Sequence, residues 1–276
     1  MRRIAPLTLA IYLLFTVPAL GAPFIERLDA IPDITQTDPK ARFPHGGVHL
    51  CGPCAVSNSL MWLGENGYEK LVPRSDYRYS AQVDLVNLLA SDRYMGTTLE
   101  MGTSPAAILY GIEKYVRDCG YVINDLSYEG WRKVPERFHT GVKNPRPDWI
   151  RSGFLPAGSA MFLNFGWYRF YPERNEYKRV SGHWVTLAGF GIDRHGNEAP
   201  GVLIVHDPGN RPGSEFSNEF VRLEKIRSGT LIAGSGAAHD AAGLFRLSGT
   251  MPIHNEADLG ILDGAIRLEI KRPPRN

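Results

Sequence analysis

Three residues carry the chemistry of this sequence: Cys51 in Cys51-Gly52-Pro53-Cys54, His183 in Ser181-Gly182-His183-Trp184-Val185, and Asp207 in Asp207-Pro208-Gly209. Pro53 suits a first helical turn, and the run to Leu63 is mostly apolar and stops before Gly64, so the pattern predicts a helix over 53–63 with Cys51 at its entrance. A sulfur there meets the positive end of the helix dipole and unpaired backbone N–H groups, and both favour a thiolate. A thiolate that attacks an acyl carbon needs an imidazole to take up and return a proton. It also needs a third group to orient that imidazole.

His183 opens an apolar run to Gly191, Asp193-Arg194-His195-Gly196-Asn197 has turn composition, and Gly201 to His206 reads as a strand that ends at Asp207. In an antiparallel hairpin, opposed positions have a constant sum. His183 and Asp207 sum to 390, which centres the reversal on His195, inside the predicted turn. The register that places the turn correctly therefore also sets His183 opposite Asp207, unless a bulge intervenes. Alternation sends the neighbouring His206 to the other face, and His195 falls at the turn tip.

Cys51-Gly-Pro-Cys54 also matches, letter for letter, the motif of thiol–disulfide oxidoreductases, in which the second cysteine resolves a mixed disulfide. Such motifs follow a buried hydrophobic strand. Phe43-Pro44-His45-Gly46-Gly47-Val48-His49-Leu50 does not make one. A zinc site would need two more ligands at suitable spacing, and there is no second CxxC and no HxxxH pair, so no metal is expected.

The elements that must position these residues follow from periodicity. A second helix is expected over 80–90. A third is expected over 104–119, with Ser104 as cap, Pro105 as first residue and Ile108, Leu109, Ile112, Tyr115, Val116 and Cys119 on one face. Strands are expected over 159–170, 183–192, 201–206, 219–224, 243–248 and 265–270, with connections over 130–157 and 228–242. Phe165-Gly166-Trp167-Tyr168 is expected to pack as core or hairpin rather than line a cleft. Helices first and strands second predict an α+β fold, with helices on one side of an antiparallel sheet. The composition agrees: 276 residues, 43% apolar, 22% charged and three cysteines exclude a disordered chain, a coiled coil and a disulfide scaffold.

Residues 1–21 begin Met-Arg-Arg, continue through an apolar run from Ile4 to Leu14, and end on small residues at Ala19 and Gly21. That is the pattern of a cleaved secretory signal, so the chain is expected to be exported, to the periplasm or beyond the cell. Losing Arg2 and Arg3 leaves 29 basic against 29 acidic residues, and a neutral chain has no global field to attract nucleic acid. No later stretch is long and apolar enough to span a membrane as a helix.

With Cys51-Gly52-Pro53 opening a helix, Gly182-His183-Trp184-Val185 opening a strand and Asp207-Pro208-Gly209 following the next, the chain resembles the papain-like cysteine peptidases. The likeness is closest to the branch of bacteriocin leader (double-glycine) peptidases, and it covers roughly residues 40–215. It implies a papain-like fold in which a central helix carries the cysteine and packs on a C-terminal antiparallel sheet. The domain would run over 46–250, after an N-terminal extension over 22–45 and before a strand and tail over 251–276. It implies Cys51 as nucleophile, His183 as general base and then acid, Asp207 as its orienting partner, a peptide or protein substrate, and no cofactor. The same triad also runs acyl transfer to an amine or thiol. Papain's own signature makes the second of two cysteines three apart the nucleophile; the Cys-Gly-Pro form fits Cys51. The family places an oxyanion-stabilising Gln six residues before the nucleophile. Position 45 is His45, an N–H donor of different geometry, and Gln36 lies too far upstream to be taken as its substitute. Three cysteines allow one pair and one free thiol. Cys54–Cys119 would staple two helices and leave Cys51 reactive, a reversible Cys51–Cys54 bond would switch the site off, and Cys119 could simply be buried. An oxidoreductase and a non-catalytic binding module of the same fold remain the competing classes.

Overall fold

The structure, a computed structural model, describes residues 22–209 and 217–274; the predicted signal segment, 1–21, lies outside the described residues. Four helices run α1 (Cys51–Glu65), α2 (Arg78–Ala90), α3 (Pro105–Asp118) and α4 (Pro147–Phe154). The strands are β1 (Val122–Gly130), β2 (Ser159–Tyr171), β3 (Glu176–Ile192), β4 (Glu198–His206), β5 (Asn218–Lys225), β6 (Thr230–Ile232), β7 (Ala238–Asp240), β8 (Phe245–Gly249) and β9 (Leu259–Lys271). The architecture is α+β with one large, mostly antiparallel sheet; among the pairings of the described strands, β3–β6 is parallel.

Strand pairing closes on itself. The order β9–β8–β5–β4–β3 runs across the sheet, and β2 pairs with both β3 and β9, so six strands form a continuous circuit. Closure of this kind removes free edges from the centre of the sheet. It also buries the middle of β2, β3 and β9 on both faces, which explains their continuous apolar runs.

Helix α1 is buried from Gly52 to Gly64, as an all-round apolar helix must be. It begins two residues earlier than its Pro53 suggests, with Cys51 as its first residue, because proline is tolerated anywhere in a first turn whose N–H groups have no helical partner. Three polar side chains lie inside it: Ser57 donates to Cys54 O at 2.8 Å, Ser59 Oγ has no partner among the described residues, and Asn58 is the most connected. Asn58 is the hub: its Oδ1 accepts from Gln82 Nε2 of α2 at 2.8 Å and from Ile34 N at 3.2 Å. Thr186 of β3 donates to Ala55 O at 2.7 Å and accepts from Asn58 Nδ2 at 3.3 Å. These buried bonds latch α1 to β3 close to both Cys51 and His183.

Helix α3 follows its sequence signals: Ser104 Oγ accepts from Ala107 N at 3.2 Å, Pro105 is the first residue, and Gly120 past the end takes a left-handed φ of 83°. Other expectations need correction. The supposed connection over 130–157 contains α4. Strand β1 lacks an apolar alternation and is defined by its pairing with β9. The supposed loop over 228–242 folds as the small β6–β7 hairpin, whose strands of three residues are too short to show a period.

Both ends of the described chain are built into the same body. Residues 22–45 bury Ile31, Ile34, Ala41 and Phe43, and pair Phe24 with Phe190. Arg27 is 4% exposed, donates to Ser159 O, Leu155 O and Pro156 O, and lies over the Trp62 ring at 4.2 Å. Burial outweighs the nearby Glu26 charge and lowers the pKa of Arg27 to about 10. At the other end β9, from the 251–276 tail, lies inside the sheet between β1 and β2.

Candidate active site

Cys51 and His183 come from the two elements that Thr186 latches together. Gly52 lies against the 97–105 segment so closely that a Cβ would meet Thr103 at 3.0 Å and Ile108 at 3.1 Å, so a larger residue would have to push these side chains aside. Thr103 O in turn accepts from Trp184 Nε1 at 3.0 Å. The Cys-Gly and His-Trp motifs therefore contact one another through Thr103, and the residues flanking the two reactive side chains fix their separation.

His183 Nε2 hydrogen-bonds Asp207 Oδ1, with the two side chains 13% and 12% exposed, and the Cys51 sulfur is near enough to act electrostatically on the same imidazole. Asp207 Oδ1 also accepts from Gly209 N at 2.7 Å, which orients the carboxylate within its own turn. Burial by itself would lower the His183 pKa. The charge and hydrogen bond of Asp207, then the contact with Cys51, outweigh it and raise the pKa to about 10. The ring is further held by Trp167, stacked at 6.2 Å between centroids and inclined 25°.

The predicted reversal is present: Asp193 N donates to Asn197 O at 2.9 Å, and Ile192 pairs with Glu198 in the register centred on His195. The register then slips at irregularities between Phe190 and Gly191 and between Leu187 and Gly189, so Thr186 faces His206. One step further, Asp207 is level with Val185 instead of directly opposite His183. The two still meet because His183 and Val185 share a face of β3 and a diagonal neighbour remains in reach. His206 faces away and is fully buried against Pro32 O and Asn218 Oδ1, and His195 is exposed at the turn tip.

Two further expectations fare differently. His45 is not among the residues lining the cleft beside Cys51: it is exposed, takes a left-handed φ of 52°, and its ring lies 5.8 Å from that of His49. The short 3-10 turn Pro44–Gly47 directs it outward. Nor is Cys54 paired with Cys119: all three cysteines are free thiols. Cys54 is fully buried in a small core with Ile34, Phe43, Leu50 and Val86, while Cys119 packs at the end of α3 against the larger core. Burial, then the charges of Cys51 and Asp33, push the Cys54 thiol well up, so this sulfur is kept as a neutral thiol.

Sequence reasoning set Gln36 aside on its spacing and did not single out His49. Gln36 is buried, its Nε2 donates to Gly47 O at 3.1 Å and its backbone N to Pro208 O at 2.9 Å. It therefore ties the loop entering α1 to the turn that holds Asp207. His49, two residues before Cys51, has a buried Nδ1 without a partner. Burial and then the His45 charge lower its pKa, against the opposing charge of Glu100.

Beside Cys51 lies a cleft of about 160 Å³, lined by the 101–105 segment, Asn164, Gly182, Trp184, Arg132 and Arg179. Arg179 Nε bonds Asp263 Oδ2 at 2.8 Å, and Asp263 Oδ1 accepts from Trp131 Nε1 at 2.9 Å and from Tyr168 Oη. Two facing glycines make room for this group: a Cβ on Gly182 would stand 2.0 Å from Arg179 Nη2, and one on Gly166 2.4 Å from Asp263 Oδ2. Phe165 and Tyr168 are core residues, as expected. Among the described residues no group of three His, Cys, Asp or Glu could hold a metal ion, and no helix is long and apolar enough to cross a membrane.

No family model matches this chain, and no curated protein matches its sequence. What the chain does must be inferred from its own residues.

Proposed function

We propose that this chain is an exported, papain-like cysteine peptidase-like hydrolase that cleaves a peptide or isopeptide bond through Cys51, His183 and Asp207. The observation that carries the proposal is the position of His183, whose ring bonds Asp207 through Nε2 while the nearby Cys51 sulfur acts on the same ring. With its pKa raised to about 10, the imidazole holds a proton through the neutral range, which suits a thiolate–imidazolium pair. The thiolate attacks the acyl carbon, His183 gives its proton to the leaving amine, and a thioester to Cys51 remains. Water then attacks the thioester while His183 takes a proton from it, and the acid and the free thiolate are released. As the first residue of α1, Cys51 has a backbone N–H without a helical partner, available to the oxyanion. Asp207 keeps the imidazole in one orientation and stabilises its charged form.

Iodoacetamide labelling near pH 6.5, read by peptide mapping, tests this. An ordinary thiol is roughly 1% ionised there. Cys51 should label alone, His183→Ala should slow it on the order of a hundredfold, and Cys54→Ser should leave it unchanged. Equal, slow labelling of all three thiols would instead indicate a binding module, and dependence on Cys54 an oxidoreductase.

A further inference from the structure

The cleft next to Cys51 holds more positive charge than the protein itself neutralises. Arg179 and Arg132 both line it, and Asp263 is the acidic group that acts on both. Asp263 is already committed: one oxygen takes Arg179, the other takes Trp131 and Tyr168. Arg132 forms no ion pair with any described residue; the contact of its guanidinium is the Trp131 ring, 5.3 Å away. Burial, then the repulsion of Arg179, push the Arg132 pKa down. A half-buried guanidinium without an anion is costly unless a ligand supplies one.

A second, independent feature sits on the same wall. Asn164 is 3% exposed and lines the cleft; its Nδ2 donates to His183 O at 3.1 Å, and its Oδ1 is buried with no partner. That oxygen requires a donor, and the backbone N–H of an extended substrate is one. A space of about 160 Å³ holds roughly five waters, the scale of one side chain and not of a drug-sized ligand.

Resting on the hydrolase reading of Cys51, we infer that this cleft is a subsite for an acidic residue of the substrate, an Asp or Glu at one of the two positions on the acyl side of the scissile bond. Arg132 takes the side-chain carboxylate and Asn164 Oδ1 takes a backbone N–H. Arg179, held by Asp263, keeps the cleft positive without itself being free to move.

The test uses chloromethyl ketones that alkylate the sulfur of the full-length exported chain: acetyl-Glu-Gly and acetyl-Gln-Gly reagents, and the same pair with the two residues reversed. Glu and Gln differ in charge but hardly in size. In one of the two positions, inactivation by the Glu reagent should be about tenfold faster than by its Gln counterpart at low salt. Arg132→Gln should bring that ratio close to one, and Arg132→Lys should keep part of it. In both variants iodoacetamide labelling should still depend on His183, and the Glu-to-Gln ratio is read within each variant, so that any change in thiolate reactivity cancels. Equal rates for Glu and Gln in both positions, with His183-dependent iodoacetamide labelling intact, would overturn the subsite and leave the hydrolase reading standing. A Cys51 that reacts with none of the reagents removes both.

Discussion

Strand β3 presents two cationic side chains four residues apart, each bound to a carboxylate from another part of the sheet. Arg179 meets Asp263 of β9, and His183 meets Asp207 just past β4. The two pairs look alike in exposure at the cation, 13% in each case, but differ at the anion: Asp263 is wholly buried and Asp207 is 12% exposed. They differ more in what each cation can do. Burial alone would lower the pKa of the Arg179 guanidinium, but Asp263 outweighs it and raises the pKa; the group keeps its proton, so this pair sets shape and field. An imidazole can release its proton, and Cys51 is placed to receive the consequence. One strand thus carries a charge that stays fixed and one that titrates, four residues of extended chain apart.

Removing either carboxylate should separate the two roles. The larger effect on folding is expected at Asp263. Asp263→Asn leaves Arg179 buried without a counter-charge and should cost about 3–5 kcal/mol in urea unfolding. A loss below about 1 kcal/mol would mean that the pair is not structural.

Asp207→Asn should cost less, about 1.5–3 kcal/mol near neutral pH, as for a hydrogen bond to a charged group. Its pH dependence has a definite sign. The folded pKa of His183 lies above its unfolded value of 6.5, so its stabilisation is complete below about pH 6.5 and is lost as pH rises through about 10. The gap between wild type and Asp207→Asn should therefore narrow across that window. A gap that widens with pH would contradict the ion pair.

The smallest effect is expected where neither pair is touched. Thr186→Val removes the two hydrogen bonds that latch α1 to β3 and should cost about 1 kcal/mol. It should also slow His183-dependent labelling of Cys51, although it contacts neither residue. Unchanged labelling would show that the Gly52–Thr103–Trp184 contact positions the site unaided.

That Cys51 opens a helix and that His183 meets Asp207 were legible because each position sits beside a strong local signal: a helix start marked by Pro53, a turn marked by Gly196 and Asn197, and a strand end marked by Pro208. The turn arithmetic found the reversal but not the register, since irregularities in β3 shift it without leaving any mark in the residue types. His45 was misplaced because counting six residues back assumes a chain that runs straight into the helix, whereas a left-handed residue turns it aside. The Cys54–Cys119 pairing counted thiols without knowing that they occupy separate cores.

Local sequence determined where helices begin, where the chain reverses and which residues could do chemistry, because caps, turns and periodicity act over a few residues. Only the tertiary structure decided what lies beside them. The Arg179–Asp263 pair joins positions 84 residues apart, and the Thr186–Ala55 bond joins positions 131 apart. Contacts at such separations leave no pattern in the neighbouring residues; they arise when sheet closure and core packing bring distant segments together.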